Sequence, residues 1–233
     1  MKPYPSQLPK GARVYLPEEA ARKRHAEASL LGVFERWGYR PLVTSTFEYA
    51  DVLATGTDAD VQENMFKLVD RETGRLLALR ADITPQIARI VATRLRDEPK
   101  PIRLAYVTNV FRYDEPQVSH YREFYQAGVE LIGLEKPEAE VEIIAMAIEG
   151  LRALGLDRYQ LVLGHPDFFR GLCEEAGADP ARVRELRAAL GRKDASTLER
   201  LVEVLAPPRE VREALLALPA LFGHEAVLER AAG

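Results

Sequence analysis

The residues best suited to chemistry lie in FRYDEPQVSHYREFYQAGVELIG, residues 111–133. Its second half alternates as a strand does. Phe124, Gln126, Gly128, Glu130 and Ile132 share one face, and Tyr125, Ala127, Val129 and Leu131 share the other. An amide and a carboxylate on either side of a glycine suit a notch above a sheet, with two hydrogen-bonding walls for a small polar ligand. The same spacing also suits a face that is simply wet, although Phe124 and Ile132 on that face speak against water. Arg112 closes the preceding apolar run. It is placed to grip a carboxylate or phosphate through two N–H groups, or equally to pair with Asp114, Glu115 or Glu123. In RADITPQIAR, residues 80–89, Asp82 and Thr84 flank Ile83 just before a helical pattern. Both suit a ligand ammonium, and Thr84 suits a plain helix cap as well.

Other chemistries find no footing. His25, His120, His165 and His224 show no metal-ligand spacing with one another or with the single cysteine, Cys173, so no metal site and no cofactor are expected. Cys173 sits in a helical context where a small core-facing residue is the expected role, and one cysteine forms no internal disulfide, which suits a reducing cytoplasm. There is no phosphate-binding loop and no nucleophile elbow. A net charge of −4 with the two signs mixed argues against a nucleic-acid partner such as tRNA. No apolar run reaches the length that crosses a bilayer, and MKPYPSQLPKG has no secretory core segment.

The elements that must hold these residues are legible in outline. Pro17-Glu18-Glu19 opens a helix that carries Leu30, Leu31, Phe34 and Trp37 and stops at Gly38. Residues 40–49 read as one strand, and residues 65–69 and 75–80 as a hairpin around DRETG. A helix follows with Thr84 as cap and Pro85 in its first turn. Residues 102–112 and 122–132 read as two arms of one antiparallel hairpin. A helix over 137–154 is expected to bury Val141, Ile144, Ile148 and Leu151, and residues 159–163 read as a further strand. Beyond His165 the chain reads as helices punctuated by Gly, Pro and Asp. The expectation is an α+β domain over residues 1–165, an antiparallel sheet flanked by helices, followed by a helical unit over 166–233.

RADITPQIAR, followed by NVFRYDEPQVSHYREFYQAGVELIG, resembles the class II histidyl-tRNA synthetase fold. More closely, it is similar to that enzyme's non-catalytic paralogue, the regulatory-subunit family of ATP phosphoribosyltransferase in histidine biosynthesis. LPKGARVYLPEEAARKRHAEASLLGVFERWGYRPLVTSTFEYADVL and the helical segment with GRKDASTLERLV extend the likeness over essentially the whole chain. The resemblance implies a histidine site. Glu130 would face the imidazole, Gln126 and Thr84 the backbone polar groups, Asp82 the ammonium, and Arg112 a carboxylate or phosphate.

Departures from the synthetase pattern favour the regulatory reading. Synthetases carry FR-x-E-R-P; here FRYDEP places Glu115 where an arginine grips ATP, a reversed charge beside a triphosphate. GLDR at 155–158 falls mid-chain, where the Gly-rich ATP-clamping motif does not belong, and segments of the types RGLDYY and GGRYDG are missing. Ser45 stands in place of the proline of the dimer motif. The resemblance thus implies a cytoplasmic, non-catalytic subunit. It would bind histidine and form a homodimer within a hetero-oligomer with the short-form catalytic subunit, and it would mediate feedback. The alternative is a synthetase-like fragment that activates histidine with ATP. The chain is expected to be either naturally short or a piece of a longer one.

Overall fold

The computed structural model describes residues 7–57, 59–113, 121–224 and 226–232, and the chain divides into two compact units, 1–159 and 160–233. In the first, helix α1 (Pro17–Arg36) starts at a proline with acids in its first turn. The Glu19 carboxylate accepts from the Leu16 N–H at 3.4 Å and from Arg13 at 2.9 Å. Gly38, at φ +83°, lets the chain reverse, a backbone state that costs glycine little. The chain then enters strand β1 (Arg40–Pro41), which pairs in parallel with β5 (Ile102–Phe111). Residues 40–49 are therefore not one strand. Leu42 still donates to the Ala105 carbonyl at 2.8 Å; residues 43–46 then leave the first sheet, and β2 (Phe47–Tyr49) joins a second. The break coincides with Thr44, whose buried hydroxyl donates to Gln86 rather than to a ladder partner.

After α2 (Ala50–Ala54) and α3 (Ala59–Glu63), strands β3 (Lys67–Val69) and β4 (Leu76–Leu79) form the expected hairpin, giving a sheet of order β2-β4-β3. Helix α4 (Thr84–Thr93) then crosses to the first sheet, where β5 and β6 (Glu123–Ile132) pair antiparallel over ten residues each. Both faces of that ribbon are covered. Leu104, Tyr106 and Val110 pack with Ile83, Ile87 and Val91, so α4 roofs the face that carries Gln126 and Glu130. Ala105, Val129 and Leu131 pack against α1 and α5 (Pro137–Ala153). Each fully buried aliphatic side chain here contributes about 1.5–3 kcal/mol.

Helix α5 buries a different stripe from the one its periodicity suggested. Met146 and Gly150 are inside and Val141 is 64% exposed, because Glu142 turns inward to take two hydrogen bonds from Arg103, each 2.8 Å, and one from the Tyr39 hydroxyl. Three charge-assisted bonds outweigh the burial of one valine. Residues 159–163 form no strand; they make no ladder pairing among the described residues, and Leu161, Val162 and Leu163 are exposed.

The second unit is helical: α6 (Pro166–Glu175), α7 (Pro180–Gly191), α8 (Ala195–Leu205), α9 (Arg209–Ala217) and α10 (Ala226–Ala232). Asp179 caps α7 by accepting from the Arg182 N–H, and Asp194 caps α8 by accepting from the Thr197 N–H, contacts of about 1 kcal/mol each. Cys173, Leu186, Leu198, Val202 and Leu215 form the core, and burial raises the Cys173 thiol pKa.

Candidate functional site

Thr84 is the first residue of α4, and Ile83 takes the capping position without a side-chain cap bond. The Thr84 hydroxyl instead donates to Glu130 Oε1 at 2.6 Å. Asp82 Oδ1 accepts from the Ile83 N–H at 2.7 Å and from Gln126 Nε2 at 3.3 Å. Four of the five expected residues therefore converge where the start of α4 meets β6. Gln126 Oε1 is buried and has no hydrogen-bond partner among the described residues. Glu130 is half buried, and burial raises its pKa. The Thr84 hydrogen bond opposes that shift and the Asp82 charge adds to it.

Arg112 borders this group without a hydrogen bond to it among the described residues. Its Nε donates to the Ala81 carbonyl at 2.8 Å, and its guanidinium lies over the Phe124 ring at 5.4 Å. Of its expected ion-pair partners, Glu123 accepts from Asn109 instead, while Asp114 and Glu115 lie outside the described residues. The Glu115 charge reversal lies outside them too.

The notch expected over Gly128 is filled. Tyr106 pairs with Gly128 across the ribbon, and a Cβ built on Gly128 would lie 2.5 Å from the Tyr106 hydroxyl oxygen. The glycine is there to admit a ring, and that ring brings its hydroxyl to the Thr84 side chain. Burial first, then the charges of Glu130 and Asp82, push the Tyr106 pKa up to about 12, so its phenol stays protonated. Tyr106 is the residue the sequence reading missed. Counting the two arms back from the loop pairs 112 with 122, and hence 106 with 128, so the signal was present.

A buried network stands beside the site. Arg80, 3% exposed, donates to the carbonyls of Asn109 and Thr44, to Asn109 Oδ1 and to the Thr44 and Thr108 hydroxyls. Gln86, 1% exposed, accepts from Thr44 and donates to the Ser45 carbonyl and to Glu48. Among the described residues, Thr44, Arg80 and Gln86 are the buried polar side chains, and they join segment 44–48, α4 and β5. Burial lowers the Arg80 pKa. The site thus gathers two carboxylates, an orphan amide oxygen and a phenol, a set whose hydrogen-bonding capacity suits a small ligand that carries N–H donors or positive charge.

An antiparallel ribbon roofed by a helix, with polar residues on the roofed face, gives this chain the fold of a class II aminoacyl-tRNA synthetase. The chain belongs to the histidyl-tRNA synthetase family, whose model matches residues 11–233. An ATP phosphoribosyltransferase regulatory subunit of Geobacter metallireducens is 45% identical over 230 residues, covering 99% of this chain and 53% of that protein. One from Moorella thermoacetica is 42% identical, covering 97% and 58%. A crystal structure from Bacillus halodurans, of an ATP phosphoribosyltransferase regulatory subunit/histidyl-tRNA synthetase, superposes with a TM-score of 0.86 at 34% identity, covering 100% of this chain and 60% of that one. The apo histidyl-tRNA synthetase of S. aureus gives a TM-score of 0.55 at 29% identity over 65% of this chain and 40% of its own. The chain spans about half the length of the curated relatives it matches.

Proposed function

We propose that this chain is a non-catalytic, cytoplasmic regulatory subunit of ATP phosphoribosyltransferase that binds histidine between α4 and β6. Glu130 receives the imidazole, Gln126 and Thr84 the backbone polar groups, Asp82 the ammonium, and Arg112 a carboxylate or phosphate. The observation that carries this reading is the Gln126 Oε1 acceptor, buried without a donor on the strand face it shares with Glu130 and bonded through its amide to Asp82. A ligand N–H would relieve the cost of that orphan acceptor. Regulation follows if histidine stabilises one arrangement of the complex over the other, and linkage makes the effect reciprocal: the catalytic partner shifts histidine affinity by the same factor. Homodimerisation is supported by the apolar side chains exposed along segment 43–47 and the second sheet, Val43, Phe47, Leu68, Val69 and Leu76.

Isothermal titration of histidine into the chain tests the site. Saturable heat is expected, with affinity falling about 10- to 100-fold in Glu130→Ala and in Gln126→Ala. Unchanged binding in both variants would remove the assignment. A second reading, activation of histidine with ATP, is favoured by the synthetase half of the B. halodurans protein's description. Histidine-dependent ATP–pyrophosphate exchange separates the two, and robust exchange would establish the enzyme.

A further inference from the structure

Helices α7 and α8 leave between them an open cleft of about 400 Å³. Its apolar side is Val204, 61% exposed, and Ala188, with the edge of the core residue Leu201, 7% exposed, at its floor. Arg182, Arg192 and Arg200 line the rest, with Glu185, which accepts from Arg182 at 2.7 Å. Among the described residues neither Arg192 nor Arg200 is in an ion pair. The carboxylate near Arg192, Asp194, accepts from the Thr197 N–H and the Ser196 hydroxyl at the start of α8. Residues 182–200 hold six Lys+Arg against three Asp+Glu in a chain whose net charge is −4, so the positive cluster runs against the charge of the whole.

We infer that this cleft is a docking site for an acidic amphipathic helix of a partner protein. Two adjacent helices offer the groove into which a third packs, its apolar residues on Ala188 and Val204 over the edge of Leu201 and its flanking carboxylates on the guanidinium groups. Arginine suits that role because its planar fork takes a carboxylate through two parallel bonds. Nucleic acid fits less well. The lining offers no aromatic platform for a base, part of it is aliphatic, and Glu185 would face the phosphates.

The test uses the full chain and two fluorescent synthetic helices of about 16 residues. Both carry leucines at i, i+3, i+4 and i+7; one is flanked by glutamates and the other by lysines. Fluorescence anisotropy is expected to show saturable binding of the glutamate peptide, at least about tenfold tighter than the lysine peptide. In Arg192→Glu/Arg200→Glu the preference reverses, and Val204→Ser weakens the glutamate peptide severalfold while adding no charge one turn from Arg200. Both arginines are exposed, and circular dichroism of each variant checks that the helices persist. The inference is overturned by a parent chain that binds neither peptide, by equal affinity for both, or by a preference that survives the charge reversal. Displacement of the peptide by an RNA hairpin whose affinity collapses in the same double variant would reassign the cleft to nucleic acid.

Discussion

Glu130 is the residue whose surroundings oppose its charge. Burial raises its carboxyl pKa above the ordinary value of 4.5, the Thr84 hydroxyl pulls it back and the Asp82 charge raises it further. Between the ordinary and the raised value, the folded chain holds a proton that the unfolded chain has released. The stability this contributes is fully present below the unfolded pKa and is lost as pH rises through the folded one. Glu130→Gln should remove that slope. Urea unfolding at about pH 5 and about pH 8 is expected to show the variant more stable than the parent at the higher pH, with the gap narrowing at the lower. A slope identical in the two proteins would show that Glu130 is not its source. Gly128→Ala tests the neighbouring claim. The new methyl meets the Tyr106 ring in a packed sheet, so a loss of about 1–3 kcal/mol is expected, together with histidine binding, and Tyr106→Phe should keep the fold while weakening the ligand.

At the scale of elements, the hairpins, α1 and the strand face that Gln126 shares with Glu130 were readable because turn chemistry, proline placement and period-two alternation all act locally. The misreadings came where tertiary contacts override local preference. Residues 159–163 have the composition of a strand but no ladder partner among the described residues, and β propensity describes fit to a neighbour rather than a backbone habit. Arg80 passed unnoticed because an arginine at a strand end is ordinarily a surface residue. Only the fold shows five acceptors gathered around it. Its network ties segment 44–48 to α4 and β5, so one side chain spans both sheets. Arg80→Met should strand those acceptors and cost roughly 3 kcal/mol or more, read as a lowered urea midpoint, with hydrogen exchange accelerating in segment 44–48 as well as in β5. An effect confined to β4 would deny the cross-link.

For the molecule as a whole, the stretch that follows α5 matters in the tube. Leu161, Val162 and Leu163 lie open to solvent at 51%, 77% and 69%, in a run with no ladder bonds among the described residues. Such a run can pair with another extended chain, so these three aliphatic residues are expected to add to self-association beyond what the net charge opposes. The purified protein is expected to scatter light increasingly as it is concentrated. Val162→Lys should suppress this while leaving the melting temperature within about 1–2 °C. Shelf life, and not folding, is what that one lysine would improve.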